Sequence, residues 1–242
     1  MSIIKLVGKP LFGAFCRVFP QLSRRVYGRL FPLIALEGDL RANHFGTCLG
    51  ADKVALLNRE LDAALRVEGA LIECGVFTGG SLFMIADRCQ KEGLQRVIYA
   101  LDSFEGFDPE EFQADKTRGW ARDEMAVFSN NSMVVVQAKA RRLKMDGLIR
   151  FVKGFFKNTL DDVLQRAPAI SFAHIDCDLY EPVKFCAERI LPKMVPGGIM
   201  LFDDLTTGYK GASSAFEEFT ASLPAECEVA VEAGMGIVRI KD

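Results

Sequence analysis

The sequence predicts an α/β domain: a mostly parallel sheet of seven strands, helices on both faces, and an antiparallel hairpin strand at the C-terminus. Three observations predict it. From residue 51 onward, helical and extended patterns alternate. Five of the extended runs end in glycine or aspartate, where open α/β sheets bind ligands. The last two runs flank a glycine-containing turn, which reads as a hairpin.

The elements follow in order. Residues 51–67 are helical, with Val54, Leu57, Leu61 and Leu65 on one face. Strand 70–75 ends in glycine; helix 81–91 and strand 97–101 follow, the strand running into Asp102. An irregular stretch reaches Asn131, with 106–131 expected to be a substrate lid. Helix 132–143, strand 149–152 and helix 159–165 come next. Strand 169–175 runs into Asp176, helix 181–191 follows, and strand 198–202 runs into Asp203. Helix 212–223 precedes the hairpin strands 228–231 and 236–240.

Composition sets the outer limits. Of 242 residues, 50% are hydrophobic and 26% charged, which excludes disordered and collagen-like chains. Lys+Arg of 30 against Asp+Glu of 32 leaves no basic surplus for binding nucleic acid through bulk charge. The seven cysteines are scattered without a C-x-x-C pair, which argues against a disulfide framework or zinc ribbon and for a reducing cytoplasm. Two histidines exclude any three-histidine centre.

Residues 1–45 are expected to form a helical segment ahead of the 46–242 domain. Before Glu37 stand Lys5, Lys9, Arg17, Arg24, Arg25 and Arg29, and no acid. Phe12, Phe15, Phe19, Leu22, Val26 and Leu30 recur at helical spacing, and Pro20 divides the run in two. No apolar run approaches the ~20 residues of a membrane span. The segment reads either as a cap on the domain or on a second subunit, or as a basic amphipathic contact of residues 1–34 with an anionic membrane surface.

Three constellations can carry chemistry. The first is Glu73-Cys74-Gly75-Val76-Phe77-Thr78-Gly79-Gly80-Ser81. Its glycines permit a sharp turn and close approach to a ligand, and the following helix start offers N–H groups to an anion. Glu73 adds an acid for a cationic group, so an amino-acid-like ligand fits; a ligand-free strand–helix turn is the competing reading. The second is Asp102 with Ser103, an acid at a strand end able to accept bonds from ribose hydroxyls. The third is Asp176, Asp178, Asp203 and Asp204, whose repulsion calls for a cation; an all-oxygen set favours Mg²⁺, Mn²⁺ or Ca²⁺. Asp203 or Asp204 capping the next segment is the alternative. His174, inside an apolar strand, reads first as a hydrogen-bonded core residue, and Trp120 either covers a substrate or fills a satellite core.

These motifs, with Asp102-Ser103-Phe104-Glu105-Gly106, Gly154-Phe155-Phe156-Lys157-Asn158, His174-Ile175-Asp176-Cys177-Asp178-Leu179-Tyr180-Glu181, Pro196-Gly197-Gly198 and Phe202-Asp203-Asp204, resemble the macrocin O-methyltransferase family in order from about residue 68 to 217. The resemblance implies a Rossmann-like class I methyltransferase fold, S-adenosylmethionine, Mg²⁺ or another divalent cation, and a hydroxyl of a sugar or glycosylated small molecule as acceptor, one with vicinal oxygens. It implies a homo-oligomer as well. Carried over by residue, Glu73, Gly75, Val76, Thr78, Gly79, Gly80 and Ser81 would hold the methionine end of the cofactor. Asp102 and Ser103 would hold the ribose, and Gly154 and Phe155 would lie near the adenine. Asp176, Asp203 and Asp204 resemble the metal ligands, with Asp176 also beside the cofactor, and Asp178 the general base. The family commonly carries a basic residue where this chain has Thr78, and Ser-Thr where it has Pro182-Val183. Two other readings compete: a metal-dependent glycosyltransferase using Asp176-Cys177-Asp178 as a D-x-D triplet, and a non-catalytic scaffold that kept the fold.

Overall fold

The structure, a computed structural model, describes residues 37–42, 44–121, 128–129, 131–206 and 210–241. The expectations for the first helical segment lie largely outside these residues. Its described end is a short helix, α1 (Glu37–Ala42), followed by a 3₁₀ turn at His44–Gly46.

The remaining elements alternate. They are α2 (Ala51–Ala64), β1 (Ala70–Cys74), α3 (Gly80–Lys91), β2 (Ile98–Asp102), α4 (Pro109–Thr117), α5 (Met133–Arg142), β3 (Ile149–Lys153) and α6 (Phe156–Arg166). Then come β4 (Ile170–Ile175), α7 (Tyr180–Ile190), β5 (Met194–Phe202), α8 (Lys210–Ala221), β6 (Cys227–Glu232) and β7 (Met235–Ile240). The sheet order is β3-β2-β1-β4-β5-β7-β6, with β1 to β5 parallel and β7 antiparallel to both its neighbours.

The central strands are apolar on both faces because both faces are covered. Leu71, Phe172, Ile199 and Leu201 meet Leu57 and Leu61 of α2 and Leu82 and Ile85 of α3. Ile72, Ile175, Met200 and Phe202 meet Leu160 of α6, Val183 of α7 and Phe216 of α8. Each such fully buried side chain contributes about 1.5–3 kcal/mol of transfer free energy.

One stretch expected to be irregular is helical. Asp108 caps α4, accepting from the N–H groups of Glu110 (3.0 Å) and Glu111 (3.3 Å), and Pro109 opens its first turn. The helix is tied to α7 through the buried Asp115, which accepts from Tyr180 N–H at 2.9 Å. Trp120 lies beside Tyr180, and the Arg118 guanidinium stands 5.1 Å and 4.9 Å from their two ring centroids. Trp120 therefore belongs to a satellite cluster. Residues 122–127 and 130, the rest of the expected lid, lie outside the described residues.

The chain direction reverses its winding between β1 and β4, so their carboxyl ends open a crevice. Hydrogen bonds carry the ladder one residue past the strands and level their ends. Gly75 N–H donates to Leu101 O (2.9 Å), Asp176 N–H to Cys74 O (2.8 Å), and Asp203 N–H to Ile175 O (3.0 Å). Topology thus brings Gly75, Asp102, Asp176 and Asp203 to one edge.

Candidate active site

A cleft of about 430 Å³ opens over that edge, within the usual range for small-molecule sites. Its floor is the turn after β1. Gly75 has φ +97°, and a Cβ there would stand 1.8 Å from the Asp176 carbonyl oxygen, so only glycine lets the two strand ends close. A Cβ on Gly80 would fall 2.2 Å from Thr47 Cα, because the segment before α2 crosses the turn here. That segment, Thr47 to Gly50 with Lys53, forms a wall of the cleft that the sequence reading did not include.

Among the residues expected to hold a cofactor, Gly75, Val76, Thr78, Gly80, Ser81, Asp102, Ser103, Phe155 and Asp176 line the cleft. Gly79 and Gly154 shape its margins without lining it. Glu73, expected beside the cofactor, lies beneath the cleft. It is fully buried, and its Oε1 lies 3.0 Å from Nδ1 of the equally buried His174 on the next strand. It does not line the cleft, and its Oε2 has no hydrogen-bond partner among the described residues. Burial alone would lower the His174 pKa, but the bond to Glu73, with Asp176 and Asp203 nearby, raises it to about 9. The two residues form an ion pair under the site.

Asp102 carries more backbone than expected. Its Oδ2 accepts from Val76 N–H (2.9 Å) and Phe77 N–H (2.8 Å), and its Oδ1 from Phe104 N–H (2.6 Å). Two loops are clipped to one carboxylate, which still faces the cleft. Aromatic rings rim the mouth: Phe128 meets Phe77 and Phe107 edge-on, at 5.2 Å and 5.3 Å between centroids.

The acids after β4 and β5 sort themselves differently from the expected metal set. Oxygens of Asp176, Asp178 and Asp204 lie within 4.8 Å of one another. Asp203 is set apart: it is buried, its Oδ1 accepts from Asp204 N–H (2.7 Å), and the same oxygen pairs with Lys53 Nζ, which stands 3.9 Å from Asp204. Asp178 stands in that cluster where the expected set had Asp203. Burial would lower the Lys53 pKa, but Asp203, then Asp204 and Asp176, raise it. Burial, then Asp203 and Asp204, push the Asp176 carboxyl well above the usual range, against the pull of His174. Burial, then Asp204 and Asp176, do the same to Asp178. Asp178 and Asp204 also sit in left-handed backbone, at φ 62° and 66°, a conformation that costs a side-chain-bearing residue about 1–3 kcal/mol. Strain and repulsion are concentrated in one triad of oxygen donors.

The cleft lining, over the described residues, carries seven carboxylates (Asp102, Asp108, Glu111, Asp176, Asp178, Asp203 and Asp204) against the single ammonium of Lys53. Such a field attracts cations and repels a diphosphate. No helix among the described residues is long and apolar enough to cross a membrane.

Comparison with known proteins agrees with this geometry. Residues 38–229 match the family model described as Macrocin-O-methyltransferase (TylF). A Streptomyces olivaceus protein named 8-demethyl-8-(2,3-dimethoxy-alpha-L-rhamnosyl)-tetracenomycin-C 4'-O-methyltransferase is 30% identical over 196 residues, 76% of this chain and 68% of that protein. The Demethyldecarbamoylnovobiocin O-methyltransferase of Streptomyces niveus is 30% identical over 148 residues, 57% of this chain and about half (53%) of that protein. In structure, the O-methyltransferase NovP superposes with a TM-score of 0.72 at 20% identity, covering 90% of this chain and 100% of that one. The calicheamicin methyltransferase CalS11 gives 0.63 at 18% identity, covering 100% of this chain and 95% of that one. These two share the fold. The chain belongs to the macrocin O-methyltransferase family and is an S-adenosylmethionine-dependent O-methyltransferase.

Proposed function

We propose that the cleft holds S-adenosylmethionine along the turn from Gly75 to Ser81 and methylates a sugar hydroxyl of a glycosylated small molecule, beside a divalent cation held by Asp176, Asp178 and Asp204. One observation carries the reading: a glycine turn and a crowded triad of carboxylates share one acid-rich cleft at the switch point. A cofactor of net positive charge and a hard dication both suit that field, and three oxygen donors suit Mg²⁺. The tetracenomycin relative is named for methylation beside a rhamnosyl group, which supports a sugar acceptor.

When bound, the cofactor supplies an electrophilic methyl group and the cation polarises an acceptor oxygen. The chain's own residues supply alignment and a proton sink. The turn after β1 and the Thr47–Gly50 wall fix the cofactor end, and Asp102 holds that turn rigid through Val76 and Phe77. Alignment of this kind is worth up to roughly 7–11 kcal/mol in ideal systems. Asp178 gives one oxygen to the triad, and its other oxygen takes the proton of the attacking hydroxyl. The Phe77, Phe107 and Phe128 rim excludes water from the mouth.

Two titrations test this. S-adenosylhomocysteine added to the full chain should bind in the micromolar range; absence of binding sinks the cofactor site. Mn²⁺ followed by electron paramagnetic resonance should bind the wild-type chain and fail in Asp176→Asn, and unchanged binding in that variant rejects the triad as the cation site.

A further inference from the structure

Four aspartates follow β4 and β5, and three of them converge. Oxygens of Asp176, Asp178 and Asp204 lie within 4.8 Å of one another, and Asp203 stands outside that cluster. Chain position does not explain the split, because Asp203 and Asp204 are neighbours at one strand end.

The split has a physical cause on α2. Lys53 lines the same cleft, and its Nζ is bonded to Asp203 Oδ1. That oxygen also accepts from Asp204 N–H at 2.7 Å. The Asp203 side chain is 5% exposed and that of Lys53 18%, so the pair is screened little by water. A carboxylate met by an ammonium and an N–H has its charge answered without a metal ion. The ammonium is held in place by a rigid element: Leu56, Leu57 and Leu61 bury α2 in the core. Lys53 is the third residue of that helix, where the positive end of the helix dipole disfavours a cation. The acids facing it outweigh that cost, since Asp203, Asp204 and Asp176 all act on its charge.

We propose that Lys53 is a positioning residue for the cation site. It holds Asp203 out of the coordination sphere, so the cation takes three protein carboxylates and keeps open a position, for water or an acceptor oxygen, that a fourth would fill. The inference rests on the triad reading above and adds the residue that fixes the number of ligands.

The probe is Mn²⁺, added to the full chain and followed by electron paramagnetic resonance, with waters on the bound ion counted in ¹⁷O-enriched water. Lys53→Met removes the counter-charge and frees Asp203. It should bind Mn²⁺ about 10- to 100-fold more tightly than wild type, with one water fewer on the ion. The double variant Lys53→Met with Asp203→Asn removes the pair together, so no charge is left buried alone. It keeps the triad and the local net charge, and should bind Mn²⁺ within about threefold of wild type with the wild-type water count. A merely structural ion pair would not move the water count. Absence of tightening in Lys53→Met, an unchanged water count in that variant, or weakening of the double variant by about tenfold or more overturns the proposal and leaves the cation site standing. The last of these would make Asp203 a ligand in the wild-type chain. Failure of the wild-type chain to bind Mn²⁺, or unchanged binding in Asp176→Asn, overturns the triad reading and this inference with it.

Discussion

The two flanks of the switch point use the same residue type in opposite ways. On the β1–β2 flank, Asp102 spends its carboxylate on three backbone N–H groups, and Glu73 spends its own on His174. On the β4–β5 flank, Asp176, Asp178 and Asp204 crowd together with two of their carboxyls pushed far up by burial and by one another. The difference is a matter of donors. Where loop N–H groups converge on a carboxylate, they take up its charge; where acids face one another instead, they repel. Within the second flank Asp203 differs from the other three in pairing closely with Lys53.

The largest expected effect tests the binding side. Asp178→Asn should lower methyl transfer roughly 10²–10⁴-fold, the usual worth of a placed base. It should also raise the thermal midpoint, because it removes one of three repelling carboxylates. Release of S-adenosylhomocysteine with an acceptor found by screening glycosylated natural products measures the first, and a thermal melt the second. A variant that lost both activity and stability would erase the contrast between the flanks. Next comes Glu73→Leu, which leaves a buried imidazolium unpaired and should cost about 3–5 kcal/mol in urea unfolding. Adding His174→Phe should recover most of that loss; a double variant as unstable as the single would show that the pair is not the cause. Asp102→Asn should cost about 2–3 kcal/mol, since charge-assisted bonds to three N–H groups become neutral or are lost. Here stability and S-adenosylhomocysteine affinity should fall together, the reverse of Asp178→Asn. Unchanged stability would move Asp102 to the ligand-binding side.

The parts of the fold that were legible are those set by local pattern. Runs such as Leu71–Cys74 and Phe172–Ile175 read as strands because burial on both faces favours apolar residues, which fill every position but Glu73 and His174. The site's location was legible for the same reason, since parallel connections force all their strand ends to one edge. Helix α4 was readable at its start, in Asp108-Pro109-Glu110-Glu111, but not along its length: only Phe112 and Asp115 of its nine residues are buried, so it has no apolar stripe. Partner choice was not legible. Glu73 gives no local sign of its pairing with His174, 101 residues away. Asp203 gives no local sign of its pairing with Lys53, which stands 150 residues earlier and reads as an ordinary first-turn lysine. The origin is the same in each case: a charge meets a neighbour that only tertiary packing supplies.

The smallest predicted effect bears on Lys139, whose ammonium donates to the Thr78 carbonyl in the turn of the first flank. Its folded pKa of about 8 lies below the ordinary lysine value of 10.5. Below pH 8 both folded and unfolded chains are protonated there, and the folded state carries the full burial penalty, about 3 kcal/mol. Between pH 8 and 10.5 the unfolded chain binds more protons, so this penalty fades as pH rises. Lys139→Met removes the penalty but leaves the Thr78 carbonyl short of a donor, which returns about 1 kcal/mol. The variant should therefore be more stable than wild type by about 2 kcal/mol at pH 7, and the gap should close and reverse towards pH 10.5. Urea unfolding at the two pH values measures it. A gap that is absent at pH 7 would mean that the ammonium is already compensated in the folded chain, and Lys139 would then be a structural cation of the turn, on the same footing as Asp102.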